Sequence, residues 1–253
     1  MRMIVVENLS KSFGNVKALD EVSFEVQKGK IAAYIGVNGA GKSTTVNILA
    51  GITKQDSGQI TMCGIEQKSN EKAIKSFVGY VPENADLFNS LTPVEIFNLI
   101  AQLREIPADI ARRRYEYFAE LFAFKDLLKL SIGSLSKGGR QKILITSSLI
   151  HNPDILLLDE PLNGLDVSSV MIFQNMLREL ADNGKTILYC SHLLDLLEKV
   201  ADTVIFIESG KIRLSTSIPD LKNLPDYENL SRLFSSLEDP SSKKVFKYDE
   251  AFV

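Results

Sequence analysis

The 253-residue chain has no tryptophan, two cysteines and two histidines. Cys63 and Cys190 cannot build a disulfide framework, and together with His151 and His192 they offer no obvious zinc site. Long apolar runs are also missing. The central stretch Ile155 to Leu158 falls far short of the roughly 20 residues of a membrane-spanning helix. At the N-terminus only Ile4, Val5 and Val6 follow Met3 before Glu7, which is not a secretory core. Positive charge is not in excess: the net charge of −3 argues against a sequence-wide electrostatic grip on nucleic acid, while leaving a local patch open. No internal repeat, low-complexity tract or long linker interrupts the chain. What is present, 45% hydrophobic and 24% charged residues, is enough to bury a sizeable core and excludes intrinsic disorder. The expectation is a reduced, cytoplasmic, globular protein of one large domain or two joined lobes, free to dock onto a membrane protein.

Periodicity supplies the next layer. Ile4-Val5-Val6, and then Val22, Phe24 and Val26 at spacing two, predict short strands and turns in a small antiparallel sheet within the first thirty residues. Ile31 to Ile35 is a compact apolar run that stops at a glycine cluster, and Ser43 to Leu49 reads as helix. Strand, glycine loop and helix open a nucleotide-binding α/β sheet. Ile155 to Leu158, Thr186 to Tyr189 and Val204 to Ile207 are further candidate buried strands. Ser168 to Asp182 carries helical spacing that suits a crossover between parallel strands. The middle of the chain differs. Thr92-Pro93-Val94-Glu95 places a hydroxyl N-cap, a proline at the first helical position and a glutamate three residues after the cap. From there to about Ile150 only helical patterns appear. The simplest reading is a core of residues 1–86 and 151–215, interrupted by a helical subdomain at about 87–150. Residues 216–253 then form a C-terminal segment, amphipathic over Leu221 to Leu237, with a polar tail after Pro240.

Residues 36–43, GVNGAGKS, match G-x-x-x-x-G-K-[ST]. Glycines let backbone N–H groups curl around phosphate oxygens without Cβ obstruction, and the following helix offers its positive end. Asn38, Gly39, Gly41, Lys42, Ser43 and Thr44 are expected to line the phosphates, with Lys42 reaching the β- and γ-phosphates and the Ser43 hydroxyl ligating Mg²⁺. ILLLDE, Ile155 to Glu160, is a buried strand ending in two carboxylates. By itself it equally describes a strand followed by an acidic turn. Beside a phosphate loop, Asp159 is expected to hold Mg²⁺ through water and Glu160 to orient and deprotonate the attacking water.

These two motifs alone leave kinases, GTPases and helicases open, although no N-K-x-D guanine motif is present. What decides is LSKGGRQK at 135–142 ahead of LLLDEP, then LNGLD at 162–166, then SH at 191–192. In that order the segments resemble the signature, Walker B, D-loop and switch histidine of the ATP-binding cassette (ABC) family, over about residues 2 to 215. The resemblance implies an α/β fold: a P-loop NTPase core with a mainly parallel sheet, a small antiparallel β subdomain and an inserted helical subdomain. It also implies a head-to-tail pair of cassettes, each ATP held by one chain's phosphate loop and the other chain's signature. Ser136 and Gly138 would present a hydroxyl and a backbone N–H to the partner's γ-phosphate, and Ser136 also reads as a helix N-cap. Phe13 falls at the adenine-stacking position and Val16 at a second adenine contact, although a core phenylalanine is the competing reading. His192 would hydrogen-bond the γ-phosphate and Asp166 would act across the dimer interface. His151 has no motif around it and reads as structural.

Departures from the family pattern matter as well. Glu83 stands where the Q-loop glutamine is usual; a carboxylate can still meet Mg²⁺ or the water, but adds charge at the metal. Lys137 replaces the first signature glycine and Gly139 its glutamine. Similar variants resemble bacterial cassettes that power drug, antibiotic or polysaccharide exporters through a separate permease. The expectation is therefore an ATPase subunit using ATP and Mg²⁺, paired with a second cassette, expected to be another copy of this chain. It would sit on the inner face of the cell membrane through its permease, docked where Leu87, Phe88 and Leu91 offer apolar contacts. No nucleic-acid partner is expected. The alternatives are a soluble cassette ATPase acting on nucleic acid or ribosomes and a regulatory cassette with weak hydrolysis. A single cassette without a heptad run or zinc module speaks against the first, and intact Lys42, Asp159, Glu160 and His192 against the second.

Overall fold

The strands fall into two sheets, one of four strands and one of six. The structure, a computed structural model, describes residues 1–84, 87–225 and 227–237. β1 (Arg2–Phe13) and β2 (Val16–Gln27) form an antiparallel hairpin. Along β2, buried Val22, Phe24 and Val26 alternate with exposed neighbours, the pattern of a sheet with one face on the core. β3 (Ile31–Ile35) is buried at every residue and leads through the glycine loop into α1 (Lys42–Leu49). β4 (Ser57–Met62) and β5 (Ile65–Glu66) then join the hairpin in the order β2-β1-β4-β5. The antiparallel sheet thus extends beyond the first thirty residues, to which periodicity had confined it. α2 (Glu71–Phe77) precedes β6 (Val78–Val81).

α3 (Pro93–Leu103), α4 (Ala108–Leu121) and α5 (Lys137–Leu149) follow before the sheet resumes. α3 opens on the capping box read from the sequence: Glu95 N–H donates to Thr92 Oγ1 at 3.3 Å, and Thr92 N–H donates to Glu95 Oε2 at 2.7 Å. Phe97 of α3 stacks on Tyr115 of α4 with ring centroids 5.3 Å apart. Both belong to one buried apolar cluster with Ile143 of α5 and with Ile31, Leu156 and Ile187. A second cluster fills the space between the two sheets around Tyr34, Val46 and Leu188.

β7 (Ile155–Asp159), α6 (Val167–Asp182), β8 (Thr186–Cys190), α7 (Leu194–Val200), β9 (Thr203–Glu208) and β10 (Lys211–Ser217) complete the larger sheet and its crossovers. Its order is β10-β9-β3-β8-β7-β6, parallel except for β10. β3, β7 and β8 are buried at every position, which is why their sequences are unbroken apolar runs. β8 lies between the other two, and Cys190 is in register with Tyr34 on one side and Asp159 on the other. The segments that follow β3, β7 and β8 therefore emerge together at one carboxyl edge, where open α/β sheets bind ligands.

The C-terminal reading needs correction. Leu221 to Leu237 is not one helix but two, α8 (Ile218–Lys222) and α9 (Leu230–Leu237). Pro225 separates them: it has no N–H to donate and pushes Leu224 out of the helical region. The polar tail after Pro240 lies outside the described residues.

His151 has a structural partner, its Nε2 lying 3.0 Å from the Val78 carbonyl oxygen. Burial, and then the Arg104 charge, push its pKa from 6.5 down to about 4. The unfolded chain therefore binds the extra proton first, and stability is lost as pH falls from 6.5 toward 4. Chemical denaturation at pH 7 and pH 5 should show a loss that His151→Gln reduces. An equal loss in both proteins would place the acid sensitivity elsewhere.

Candidate active site

The loop between β3 and α1 takes its shape from a glycine that no other residue can replace without strain. Gly41 has φ of 112°, and a Cβ there would lie 2.7 Å from the Ala18 carbonyl oxygen of β2. The hairpin thus buttresses the loop. A second brace comes from the β9–β10 turn, where Gly210 N–H donates to the Ala40 carbonyl at 3.0 Å. α1 begins at Lys42, so its first-turn N–H groups and the positive end of its dipole face the loop's concave side. Lys42 Nζ donates to the carbonyls of Gly36 at 2.7 Å and Val37 at 3.1 Å, folding the ammonium back over the loop.

Opposite stand the ends of β7 and β8. Glu160 adopts φ of 48°, an uncommon conformation for a residue with a Cβ, and its N–H donates to the Cys190 carbonyl at 2.9 Å. Its carboxylate accepts from Ser191 Oγ at 2.9 Å and from the His192 N–H at 2.9 Å, and His192 Nδ1 lies 2.9 Å from the same Oε1. The Glu160 side chain is 10% exposed and that of His192 64%, so the carboxylate is held inside while the imidazole reaches outward. Asp159, one residue earlier, is buried, and that burial raises its pKa. A hydrogen bond from the Ser43 hydroxyl opposes the rise, and the charges of Glu83 and Glu160 add to it.

These groups share one cavity of about 400 Å³. It is lined by Asn38, Gly39, Gly41, Lys42, Ser43 and Thr44 from the loop side and by Glu83, Asp159, Glu160 and His192 from the other, with Ala18 from the hairpin. Among these residues Lys42 is the single permanent cation against three carboxylates. A triphosphate brought here adds further negative charge, so the site calls for a divalent cation. The oxygen donors of Ser43, Asp159 and Glu83 suit Mg²⁺, a hard ion that takes one or two carboxylates and completes its shell with phosphate and water oxygens.

Five of the residues singled out in the sequence lie outside that cavity. Phe13 and Val16 face each other at the exposed tip of the β1–β2 hairpin, the Lys11 ammonium 5.4 Å from the Phe13 ring centre. Ser136 caps α5, its Oγ accepting from the Gly139 N–H at 3.1 Å. Gly138 is pressed against the turn after β7: a Cβ there would stand 2.5 Å from the Gly164 carbonyl oxygen. Asp166 caps α6, accepting from Ser169 N–H at 2.8 Å and Ser168 Oγ at 2.6 Å, with Lys142 Nζ 3.2 Å away. The Ser168 and Ser169 hydrogen bonds hold its carboxyl below the usual range. Two site residues were given no role from the sequence: Ala18, which contributes backbone, and Ser191, quoted only as half of the SH pair, whose hydroxyl steadies the Glu160 carboxylate.

A glycine loop between a buried parallel strand and a helix start, facing paired carboxylates and a histidine from the neighbouring strands, defines a phosphate-loop nucleoside triphosphatase. Residues 19–163 match the ABC transporter family. An uncharacterised ABC transporter ATP-binding protein of Methanocaldococcus jannaschii is 37% identical over 208 residues, covering 82% of this chain and 75% of that protein. The Nod factor export ATP-binding protein I of Ralstonia nicotianae is 32% identical over 209 residues, covering 83% of this chain and 65% of that protein. A solved ATP-binding subunit of an ABC transporter superposes with a TM-score of 0.87 at 26% identity, covering 92% of this chain and 98% of that one. The chain belongs to the ABC transporter family, as an ATP-binding subunit and ATPase. No helix among the described residues is long and apolar enough to cross a membrane.

Proposed function

We propose that this chain binds MgATP between two copies of itself, closes on it, hydrolyses it and reopens, driving export through a separate permease on the inner face of the membrane. One observation carries the reading: Lys42, Ser43, Asp159, Glu160 and His192 converge on one cavity, while exposed Ser136 lies outside it. A second chain, turned head to tail, brings Ser136 and Gly138 to the γ-phosphate. In this reading residues 1–86 and 151–217 form the catalytic core, β10 carrying it two residues past 215, and residues 87–150 form the helical lobe.

The backbone N–H groups from Asn38 to Thr44 and the Lys42 ammonium would bind the phosphates, and Phe13, exposed and without a core to fill, would stack on the adenine with Val16 beside it. Ser43, Asp159 and Glu83 would hold Mg²⁺, which neutralises charge building on the transferred phosphoryl group. Glu160 accepts the proton of the attacking water. His192, its Nδ1 committed to Glu160, offers Nε2 to a γ-phosphate oxygen and donates there when the ring is doubly protonated. Because these γ-phosphate contacts exist only in the closed pair, ATP favours closure and hydrolysis removes the bias.

For the permease, Leu87 and Phe88 line an apolar groove of about 520 Å³ with Ile96, Leu99 and Leu103, and a cytoplasmic segment of the permease would seat there. Leu91 is not among the lining residues; it packs on the core. The export direction is supported by the name of the Nod factor relative and by the Lys137 and Glu83 variants.

Gly138→Ala tests the paired site. A Cβ 2.5 Å from the Gly164 carbonyl must displace the signature turn, but it touches nothing in the chain's own cavity. MgATP affinity should stay within about twofold of the parent while turnover falls on the order of 10²-fold, the size of a lost transition-state donor. Parental turnover, measured as phosphate release, would count against a signature that acts in trans.

A further inference from the structure

α7 is seven residues long, too short to persist without tertiary support, and it begins two positions after His192. On its inner side Leu194, Leu197 and Val200 are buried. α6 holds its carboxyl half: Gln174 Nε2 donates to the Leu196 carbonyl at 3.0 Å and Arg178 Nη1 to the Val200 carbonyl at 3.4 Å. Its outer side is held by the segment that follows α8. Tyr227 OH donates to Glu198 Oε1 at 3.0 Å, Leu230 N–H donates to Glu198 Oε2 at 2.8 Å, and Ser231 Oγ donates to Asp195 Oδ1 at 2.8 Å. Leu230 is fully buried, and the Phe234 ring meets Phe206 of β9 edge-on with centroids 5.3 Å apart. Both oxygens of one half-buried carboxylate are thus spent on a single later stretch of chain, and the amphipathic pattern of that stretch is explained by where its apolar face lies.

We propose that residues 227–234 form a clasp that positions His192, with Glu198 as the positioning residue. The clasp clamps α7 against the sheet from the side that α6 does not reach. It thereby fixes the start of α7, and with it the His192 N–H and Nδ1 that both meet Glu160 Oε1 at 2.9 Å. When the clasp is engaged, the histidine stands ready for the γ-phosphate; when it is released, the cavity keeps its phosphate loop but loses the aim of its histidine. The C-terminal segment is in this way a control point for hydrolysis rather than for nucleotide capture. The inference rests on the reading of His192 as a γ-phosphate contact.

The test uses the full chain with Glu198→Ala and Tyr227→Phe, each alone and combined with His192→Ala. The readouts are single-turnover and steady-state phosphate release, MgADP affinity by calorimetry, and the melting temperature. MgADP lacks the γ-phosphate, so its affinity should stay within about twofold of the parent while kcat falls by about fivefold or more in Glu198→Ala and by less in Tyr227→Phe. In the His192→Ala background, adding Glu198→Ala should change the residual rate by less than about twofold, because the two side chains act through one contact. Glu198→Ala with a lowered melting temperature and parental kcat would overturn the clasp's role and leave a structural brace. So would parallel losses of kcat and MgADP affinity, or rate losses that multiply with that of His192→Ala. Parental turnover in His192→Ala alone would instead overturn the role of the histidine itself, and the clasp's target with it. If Glu198→Ala does not fold, Tyr227→Phe, which removes one hydroxyl, decides by the same comparisons.

Discussion

Glu160→Gln should bind MgATP with parental affinity, release phosphate about 10³-fold more slowly, and accumulate as an ATP-bound dimer. The amide has almost the shape of the carboxylate. Its one oxygen can still accept from the His192 N–H or the Ser191 hydroxyl, so the end of β7 keeps its place. The backbone is held independently by the Glu160 N–H bond to the Cys190 carbonyl. What the amide cannot do is take a proton from water. In the proposed cycle closure depends on γ-phosphate contacts that do not need the base, so the pair should form and persist where the parent pair would open after hydrolysis. Phosphate release together with light scattering of the eluting protein gives both answers at once. Ordinary turnover would mean that another group removes the proton; slow turnover without a dimer would mean that closure and chemistry are not linked as proposed.

Lys42→Ala should lower MgATP affinity about 100-fold, the worth of one or two charge-assisted hydrogen bonds at roughly 1.5–3 kcal/mol each. Two losses coincide. The ammonium holds the loop by its bonds to the Gly36 and Val37 carbonyls, and it is the single cation among the residues lining a cavity with three carboxylates. Without it the phosphates meet Glu83, Asp159 and Glu160 uncompensated except by Mg²⁺. Lys42→Arg should restore little, since a planar fork does not fit where a compact charge bends back onto two carbonyls. Titration calorimetry with MgATP checks both variants. An affinity within about threefold of the parent in Lys42→Ala would show that backbone N–H groups and the helix start dominate binding.

The residues that line the cavity were more legible in the sequence than the full set of strands. β3, β7 and β8 are buried on both faces, so each is written as an apolar run, and the residues just beyond them are the motif residues that meet in the cavity. β6 escaped notice because Val78-Gly79-Tyr80-Val81 is four residues long, contains glycine and stops at Pro82; its strand character comes from pairing with β7. β4 and β5 were missed for a similar reason, their pairing with β1 being set from far along the chain. Leu221 to Leu237 kept its amphipathic face through a break at Pro225, so periodicity ran on where the helix did not. Ala18 was invisible because its role is a carbonyl oxygen, and any residue has one. The nucleotide roles proposed for Ser136, Gly138 and Asp166 rest only on the family resemblance. Within one chain they are two helix caps and a tight contact, and nothing in their local chemistry announces a nucleotide.

The position of β8 between β3 and β7 also sets a schedule for the chain as it leaves the ribosome. The phosphate loop is made within the first fifty residues, and the strand before it pairs with Thr186–Cys190 and Thr203–Glu208, the first of which also pairs with the strand that ends at Asp159. A nascent chain arrested before residue 186 holds the loop and both carboxylates but lacks the strand that joins theirs in one sheet and the Cys190 carbonyl that anchors Glu160. The complete cavity is therefore expected only after that central strand has emerged, with His192 two residues beyond it.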